Sequence, residues 1–251
     1  MALPTPSAYW KMDDGSGNAT DQASGGRTLV QTGTIGSGTG ILGNCRTFTG
    51  NSANRFACAS DSVLQTGNTD YTIAAWFQLS SGGATSNKAL AVKSNSGGAE
   101  FRVWFLCVAP GSWRPRFTVF NAAASLSDSA DWLTAPTNDA WHLLVAWLDS
   151  AANTLYLSVD DATPVSAPRT VTLTAGTSPF EVGVTDTTSW PWHGSIDEVL
   201  WYKGKLDAGQ RTSLYNAGVG RTWSQAAGWG DVSNTVANQM AGIGIGLGIG
   251  V

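Results

Sequence analysis

The sequence predicts an all-β fold, an antiparallel sandwich, and two observations carry this prediction. From Tyr71 onward the apolar residues fall into short runs with the two-residue alternation of strands, and clusters of Gly, Ser, Asn and Pro separate the runs. Short strands joined by tight turns are typical of antiparallel sheets and not of βαβ folds. The eight predicted strands are YTIAAWFQL (71–79), EFRVWFLCV (100–108), PRFTVFN (115–121), WHLLVAWLD (141–149), TLYLSVD (154–160), RTVTLT (169–174), PFEVGV (179–184) and SIDEVLWYK (195–203).

One short helix is predicted after the last of these strands. Asp207, followed three residues later by Gln210, has the sequence of a capping box, which marks the start of a helix. Leu214 and Tyr215 supply an apolar contact, and Gly218 suits the end of the helix. We therefore expect a clip helix that packs beside the sandwich.

The sequence divides into a sandwich domain, residues 1–223, and a glycine-rich apolar tail, residues 224–251, for assembly or anchoring. The last charge is Asp231, and the final ten residues alternate glycine with large aliphatic residues. As a strand, this stretch has one apolar face and one glycine face that lets another backbone approach closely. An exposed strand of this kind aggregates unless it is covered, so we expect it to dock into a partner, with a disordered or processed end as the alternative. The predicted assembly residues are Ile243, Ile245, Leu247 and Ile249.

Composition and charge exclude several classes of partner. The chain has a net charge of −4, and its 14 Lys and Arg residues are scattered along it, whereas binding to nucleic acid relies on clustered cations. No apolar run is long enough to span a membrane, and the first residues lack the regions of a secretion signal. We therefore expect no nucleic acid partner, no membrane span and no signal peptide. The three cysteines lack the spacing of metal ligands.

A retaining glycosidase needs two carboxyl groups about 5–5.5 Å apart. On a strand this means residues i and i+2, and no two of the 18 Asp and Glu residues have that spacing. The neighbours Asp197 and Glu198 point to opposite faces if the strand is extended. His142, between Trp141 and Leu143, is expected to be a hydrogen-bonded core residue. We predict that the chain is not an enzyme; carboxylates that converge from different strands are the open alternative.

Tryptophans and arginines outside the strand patterns are the candidate ligand-binding residues. Loop aromatics stack on sugar rings, and they also anchor protein interfaces. Arg114 and Arg116, beside Trp113, suit a carboxylate or sulfate of an acidic glycan, because guanidinium binds such groups bidentately. The alternative is that these aromatic residues cover the edges of the core. The candidates are Trp113, Arg114, Arg116, Trp132, Trp190, Trp192 and His193.

Six landmarks in a fixed order carry a resemblance to a known family. They are YWKMDDGSG (9–17), DQASGG (21–26), GNCRTFTG (43–50), DYTIAAWFQL (70–79), the pair WHLLVAWLD and LYLSVDD, and GSIDEVLWYKGKLDAGQRTSLYNAG (194–218). Together they resemble the laminin-G-like jelly-roll family of the concanavalin A-like lectin and glucanase superfamily over roughly residues 8–222. The departures are Asn44–Cys45, where small apolar residues are usual, and a longer Trp-bearing region at 109–140. The E-x-D-x-E signature of the glucanases is absent.

The resemblance implies a jelly-roll topology and a structural calcium ion. In this superfamily calcium ties the first strand to the last, and an aspartate at the start of the closing strand is among its ligands. That position is Asp197 here, and Asp13 and Asp21 are the expected partners, because calcium takes six to eight oxygen ligands. The alternative is that these carboxylates cap backbone N–H groups.

Three hypotheses for function follow. The leading one is a non-catalytic lectin-like or adhesion module that binds a glycan or cell-surface polysaccharide and forms a homo-oligomer or larger assembly through its tail. Laminin-G-like domains that end in LYNAG-x-G without a signal peptide resemble those on virions, so we expect a decoration or fibre protein on a virion or extracellular surface. The alternatives are a purely structural subunit without a glycan ligand and a polysaccharide-degrading enzyme.

Overall fold

The computed structural model describes residues 3–23, 25–82, 86–95, 98–185 and 189–223. Within these ranges the chain forms two antiparallel sheets and one α-helix. The strands are β1 (Ala8–Trp10), β2 (Val30–Thr32), β3 (Gly36–Thr39), β4 (Asn44–Thr49), β5 (Arg55–Cys58), β6 (Tyr71–Leu79), β7 (Lys88–Asn95), β8 (Gly98–Ala109), β9 (Ser112–Phe120), β10 (Ser127–Asp131), β11 (His142–Asp149), β12 (Thr154–Val159), β13 (Val165–Pro168), β14 (Phe180–Val182) and β15 (His193–Tyr202). Helix α1 (Ala208–Tyr215) follows the last strand, and the 3-10 turn Asn216–Gly218 ends it.

The two sheets divide the strands almost equally. The eight-stranded sheet has the order β13-β12-β11-β6-β15-β4-β3, with β1 also paired to β15, and the seven-stranded sheet has the order β10-β9-β8-β7-β14-β5-β2. Several pairs of consecutive strands, such as β5 and β6 or β14 and β15, lie in different sheets, so the chain passes from one sheet to the other as in a jelly roll. The predicted antiparallel sandwich with one short C-terminal clip helix is confirmed.

The main core lies between the sheets, where alternate residues of each strand point inward. On β6, which lies between β11 and β15, Tyr71, Ile73 and Phe77 face this core, while Ala74 and Trp76 face the other way and are also buried. The Tyr71 ring stacks on that of Trp201 from β15 at a centroid distance of 5.2 Å. The sequence pattern of β6, apolar on both faces, therefore reflects a central strand covered on both sides.

A second, smaller core covers the outer side of the eight-stranded sheet. The N-terminal segment and α1 pack over the outer side of this sheet. There the ring of Tyr215 stacks on that of Trp76 with a centroid distance of 5.9 Å. The helix begins with the predicted capping box: the side chain of Asp207 accepts the N–H of Gln210 at 2.8 Å, and the Gln210 Oε1 atom accepts the N–H of Asp207 at 2.9 Å. The helix is thus a clip, as predicted.

The predicted strand at 169–174 is wrong, because the strand in this region is β13, Val165–Pro168. The N–H groups of Thr170 and Val171 donate to the carboxylate of Asp128 at 2.5 and 2.8 Å, instead of to a neighbouring strand. A side chain therefore ties this segment to the edge of the seven-stranded sheet. The short or polar strands β2, β3, β5 and β10 lack a clear apolar alternation and are absent from the prediction, as is the longer β7.

The predicted tail, 224–251, with Ile243, Ile245, Leu247 and Ile249, lies outside the described residues. Its assembly role and the boundary near Trp223 therefore remain predictions. In the part of the chain that the structure describes, no helix is long and apolar enough to cross a bilayer.

Candidate functional site

The outer face of the seven-stranded sheet carries a row of arginine and aromatic side chains. On the central strands β8 and β9, Phe101, Val103 and Phe117 point into the main core. Their alternating neighbours must point outward. Cross-strand pairing places Trp104 opposite Arg116 and Leu106 opposite Arg114, with Arg102 opposite Thr118. Residues on this face therefore come from two hairpin strands held in a fixed register.

Four side chains from these two strands and Trp190 from the loop before β15 form one continuous stack of two cations and three aromatic residues. The indoles of Trp104 and Trp190 lie 4.7 Å apart with their planes within 20°. The Arg116 guanidinium lies 5.1 Å from the Trp104 ring, and that of Arg102 lies 5.3 Å from Trp190 and 4.9 Å from Phe120. Each contact is within the range of a cation–π interaction. We call Phe120, Arg102, Trp190, Trp104 and Arg116 the outer-face stack.

The loop between β14 and β15 brings Trp190 onto this face. Gly183 opens the loop with a φ of +93°, and a Cβ atom there would lie 2.3 Å from the ring of Phe48, so only glycine fits. The N–H of Ala89 donates to the carbonyl of Trp190 at 2.8 Å, which ties the loop to β7. The indole N–H of Trp104 donates to the Thr118 hydroxyl at 2.9 Å, so both indoles are held in place.

A cavity of about 70 Å³ lies at the end of this stack. It has the volume of a few water molecules, so it suits a single functional group and not a whole sugar ring. One wall is an ion pair, in which the Arg116 guanidinium contacts both carboxylate oxygens of Asp131, with Nη2 and Oδ2 2.8 Å apart. The lining residues are Leu106, Arg114, Pro115, Arg116, Asp131, Trp132 and Leu133.

The rim of the cavity combines a cation with apolar side chains. Arg114 is exposed, and its guanidinium has no hydrogen bond or ion pair with any residue that the structure describes. Leu133 is 69% exposed and Trp132 is half-buried. Such a surface can contact the apolar face of a ring while the guanidinium binds an oxygen of a polar or anionic group.

The structure brings four of the seven predicted ligand-binding residues to one surface and places the other three elsewhere. Arg114, Arg116 and Trp132 line the cavity, and Trp190 joins them through the outer-face stack. Trp113 and Trp192 are each 1% exposed and contribute to the main core. His193 lies at the start of β15, where its Nδ1 atom is 3.1 Å from the Gly82 carbonyl oxygen. It does not line the cavity.

The prediction that both tryptophans lie on loops is wrong for Trp113, which lies on β9, and correct for Trp192, although both are buried. Trp113 is the second residue of β9, where strand alternation points it inward, and its indole N–H donates to the Ser86 carbonyl at 3.0 Å. Trp192 immediately precedes β15, and its ring packs edge-on against Phe77 and Phe105. Neither indole face is available to a ligand, so the alternative that these aromatic residues cover the core is correct for both.

Seven residues of the cavity and the outer-face stack were not among the predicted ligand-binding residues: Arg102, Trp104, Leu106, Pro115, Phe120, Asp131 and Leu133. The alternation of residues 102, 104 and 106 with the apolar residues 101, 103 and 105 is a signal that could have found the first two. Nothing in the sequence pairs Asp131 with Arg116, because that contact follows from the register of β10 on β9.

The acidic residues of the closing strand lie on the same side of the sheet, which corrects the predicted arrangement. A β-bulge interrupts the pairing of β15 with β6 between Asp197 and Leu200, and Glu198 has a φ of +50°. Asp197 pairs with Trp76, and the Glu198 carboxylate accepts the hydroxyl of Tyr9; both partners belong to the second core. The extended geometry assumed from the sequence therefore does not hold.

Both carboxyl groups are removed from water. Asp197 is 0% and Glu198 1% exposed. Burial raises the pKa of Asp197 to about 8, and burial together with the charge of Asp197 raises the pKa of Glu198. These carboxyl groups lie on one side of the sheet, but solvent and substrate do not reach them.

His142 is hydrogen-bonded, as predicted. Its two ring nitrogens contact the Asp160 carboxylate and the Thr137 carbonyl.

The predicted calcium ligands do not form one group. Asp197 accepts the N–H groups of Ile41 and Leu42 in the turn between β3 and β4, and Asp13 accepts that of Asn44 beside the same turn. The Asp21 carboxylate instead accepts the N–H groups of Tyr9, Ala23 and Arg27. Within the described ranges no group of three or more His, Cys, Asp or Glu is arranged to hold a metal ion.

Only part of the predicted set therefore fits a calcium ion. Asp13 and Asp197 lie close enough for the charge of Asp13 to raise the pKa of Asp197, and a cation between them would relieve this repulsion. Calcium would need carbonyl oxygens besides these two carboxylates. Calcium binding through Asp13 and Asp197 remains a prediction, and Asp21 acts instead by holding the turn after β1.

An antiparallel sandwich of two large sheets closed by a clip helix is the architecture of concanavalin A-like domains. More closely, the chain belongs to the laminin G family, because the family model described as the concanavalin A-like lectin/glucanases superfamily matches residues 49–210. This confirms the resemblance found in the sequence. No curated protein gives a significant match.

Solved structures share the fold at low sequence identity. The botulinum neurotoxin serotype G binding domain aligns with a TM-score of 0.68 and 11% identity, over 84% of this chain and 50% of that one. The binding domain of Paraclostridial Mosquitocidal Protein 1 gives 0.67 and 10%, over 85% and 52%. Domain 4 of AbnA, a GH43 extracellular arabinanase from Geobacillus stearothermophilus in complex with arabinotriose, gives 0.61 and 15%, over 86% and 98%. The chain thus spans about half the length of the toxin domains and has the fold of a lectin-like binding domain.

Proposed function

We propose that this chain is a non-catalytic glycan-binding module whose binding surface is the cavity beside the outer-face stack. The observation that carries the proposal is the composition of the cavity rim. Arg114 presents N–H donors that no described residue uses, and Leu133 presents exposed apolar surface beside the half-buried ring of Trp132. Sugars offer hydroxyl groups and an apolar face of C–H groups, and small-molecule sites combine the complementary features in the same way.

The rigidity of the surface supports this proposal. The strands β8 and β9 and the bidentate Arg116–Asp131 pair fix most of the lining before any ligand arrives. A preformed site loses less conformational entropy on binding than a mobile loop does. The complex of the arabinanase domain with arabinotriose shows that a domain of this fold binds a glycan. At 15% identity it supports the fold and not the position of a site.

The distribution of carboxylates supports a non-catalytic role. Glycosidases use two carboxyl groups on either side of the bond that is cleaved. Among the described residues that line the cavity, Asp131 is the one carboxylate, and Arg116 holds both of its oxygens. Asp197 and Glu198 are buried beneath the second core. We therefore propose binding without hydrolysis.

The proposal includes a role for the tail in assembly. We propose that residues 224–251 dock the module into a homo-oligomer or a larger surface assembly, such as a virion decoration or fibre, and this rests on the glycine–aliphatic alternation alone. Deletion of 224–251 should reduce the solution mass to that of a single chain, measured by light scattering. An unchanged oligomeric state would refute the assembly role.

A glycan array tests the binding function, with Leu133→Ser and Trp132→Ala as the disruptive variants. The matched control is Leu126→Ser, because Leu126 is 64% exposed on the β9–β10 turn and Leu133 is 69% exposed at the cavity. We expect both cavity variants to weaken binding by about tenfold, and the control to bind as the unmodified chain does. No release of reducing ends should accompany binding. A silent array would instead support the purely structural subunit.

A further inference from the structure

We propose that the ligand of this cavity carries an anionic group, a carboxylate or a sulfate on an acidic polysaccharide, and that Arg114 binds it. The inference rests on the proposed glycan-binding function and adds the chemical class of the ligand. It follows from three properties of the cavity: a guanidinium without a partner among the described residues, a positive local charge and a volume that suits one small group.

The unpaired guanidinium sets Arg114 apart from other arginines of the chain. Arg27 pairs with Asp61, Arg55 with Glu181 and Arg116 with Asp131. Arg114 has no such partner among the described residues, and β9 holds its backbone opposite Leu106. A planar guanidinium binds a carboxylate or sulfate through two parallel N–H donors. The side chain is therefore free to accept an anion from solution at a fixed point on the sheet.

The local charge is opposite to that of the whole protein. Arg114 and Arg116 contribute two positive charges to the cavity lining, and Asp131 contributes one negative charge. The chain as a whole has a net charge of −4. The positive charge of the lining is thus a local arrangement, and it favours the binding of an anion over that of a neutral glycan.

The size and rim of the cavity favour an acidic sugar over other anions. The volume of about 70 Å³ admits one anionic group, while the ring that carries it would rest outside against Trp132 and Leu133. A phosphate backbone would require a longer row of cations, and this surface ends in apolar side chains. A pyranose with a carboxylate or sulfate matches both the cation and the apolar rim.

Binding to paired polymers tests this inference with the full chain. Polygalacturonate is compared with its methyl ester, which removes the charge and keeps the sugar, and dextran sulfate is compared with dextran. The variants are Arg114→Gln, Arg114→Lys and the control Lys11→Gln, which removes one positive charge next to β1 on the other sheet. Melting temperatures check that all variants are folded, which we expect because the exposed Arg114 side chain pairs with none of the described residues.

We expect at least one charged polymer to bind more tightly than its neutral partner. Arg114→Gln should weaken that binding by about 10- to 100-fold, Arg114→Lys should weaken it less, and Lys11→Gln should leave it unchanged. Preference for polygalacturonate identifies a carboxylate, and preference for dextran sulfate identifies a sulfate.

Two results would overturn the inference, and they differ from failure of the proposed function. Equal affinity for charged and neutral polymers, or equal losses in Arg114→Gln and Lys11→Gln, would show that Arg114 recognises no anion, although glycan binding would stand. If the chain binds none of these polymers and no glycan on an array, both the inference and the proposed function fail.

Discussion

The indole of Trp190, on the loop before β15, lies flat against the indole of Trp104 on β8, with ring centroids 4.7 Å apart. The contact joins a loop to the outer face of a sheet, where single aromatic residues are usually solvated. It also places Arg102 and Arg116 at the two ends of the ring pair. The shape of the proposed binding surface therefore depends on a residue that does not line the cavity.

Removal of the Trp190 ring should therefore act on both stability and binding. We expect Trp190→Ala to lower the free energy of unfolding by about 1–3 kcal/mol, measured with urea, because a half-buried ring leaves its stack. Glycan affinity should also fall, because Trp104 and Arg116 lose their support. Trp190→Phe keeps a stacking ring and should retain most of both properties. An alanine variant with unchanged stability would show that the stack is not an energetic unit.

The pair His142–Asp160 should make stability depend on pH. The Nδ1 atom of His142 faces the Asp160 carboxylate at 2.6 Å and Nε2 faces the Thr137 carbonyl at 3.0 Å, so the protonated ring satisfies both acceptors. The hydrogen bond to Asp160 raises the pKa of His142. The pair therefore stabilises the fold fully below the pKa of His142 in the unfolded chain, about 6.5. This stabilisation is lost as pH rises through the higher pKa of His142 in the folded chain.

Asp160→Asn is the variant that tests this pair. Asparagine tolerates the φ of +53° at this position and still accepts the N–H of Leu143, so the backbone is preserved. We expect the variant to be less stable than the unmodified chain at pH 6, with the difference shrinking by pH 9, in urea titrations. NMR should show a lower His142 pKa in the variant. A difference in stability that does not change with pH would rule out the imidazolium pair.

The Asp207 cap should stabilise the clip helix. The Asp207 side chain accepts the N–H of Gln210 at 2.8 Å, and loss of such a cap costs about 1 kcal/mol. We expect Asp207→Ala to lower the free energy of unfolding by that amount and Asp207→Ser to retain most of it. Tryptophan fluorescence should report the change, because Tyr215 covers Trp76. Equal losses in both variants would assign the effect to the charge of Asp207 at the helix N-terminus.

The Asp131 carboxylate should weaken anion binding. It holds Arg116 and adds the negative charge of the cavity wall. We expect Asp131→Asn to raise the affinity for the preferred charged polymer by about threefold to tenfold, because the Arg116 guanidinium is released from its ion pair. Folding should change by less than about 1 kcal/mol, because the pair is partly exposed. Weaker binding in this variant would mean that Asp131 accepts ligand hydroxyl groups.

Calcium should stabilise the fold if Asp13 and Asp197 hold it. We expect calcium to raise the melting temperature and a chelator to reverse the rise. The effect should be lost in Asp13→Asn and kept in Asp14→Asn, because the Asp13 carboxylate accepts the N–H of Asn44 whereas Asp14 accepts a hydrogen bond from Arg46 through its backbone carbonyl. If calcium has no effect on the unmodified chain, these two carboxylates serve only to accept backbone N–H groups.

The sequence predicts the fold far better than it predicts the site. Short apolar runs between turn residues identify β6, β11 and β15, and the capping box identifies the start of α1. Trp113 is buried because the alternation of β9 points it into the core. The Gly, Ser and Pro residues around it are typical of a loop, so the sequence did not indicate that β9 begins there. The cavity depends on which residues pair across strands, and a single sequence does not contain the register that brings Asp131 to Arg116.

The bulge at Glu198 resets the phase of the closing strand. After it, Val199 and Trp201 face the main core while Leu200 and Tyr202 face the second one. Deletion of one residue here would exchange the two sets and turn Trp201 away from Tyr71. Among relatives of this chain, insertions and deletions should therefore be rare between residues 196 and 202, even where most side chains differ. The number of residues in this segment should be conserved more strictly than their identity.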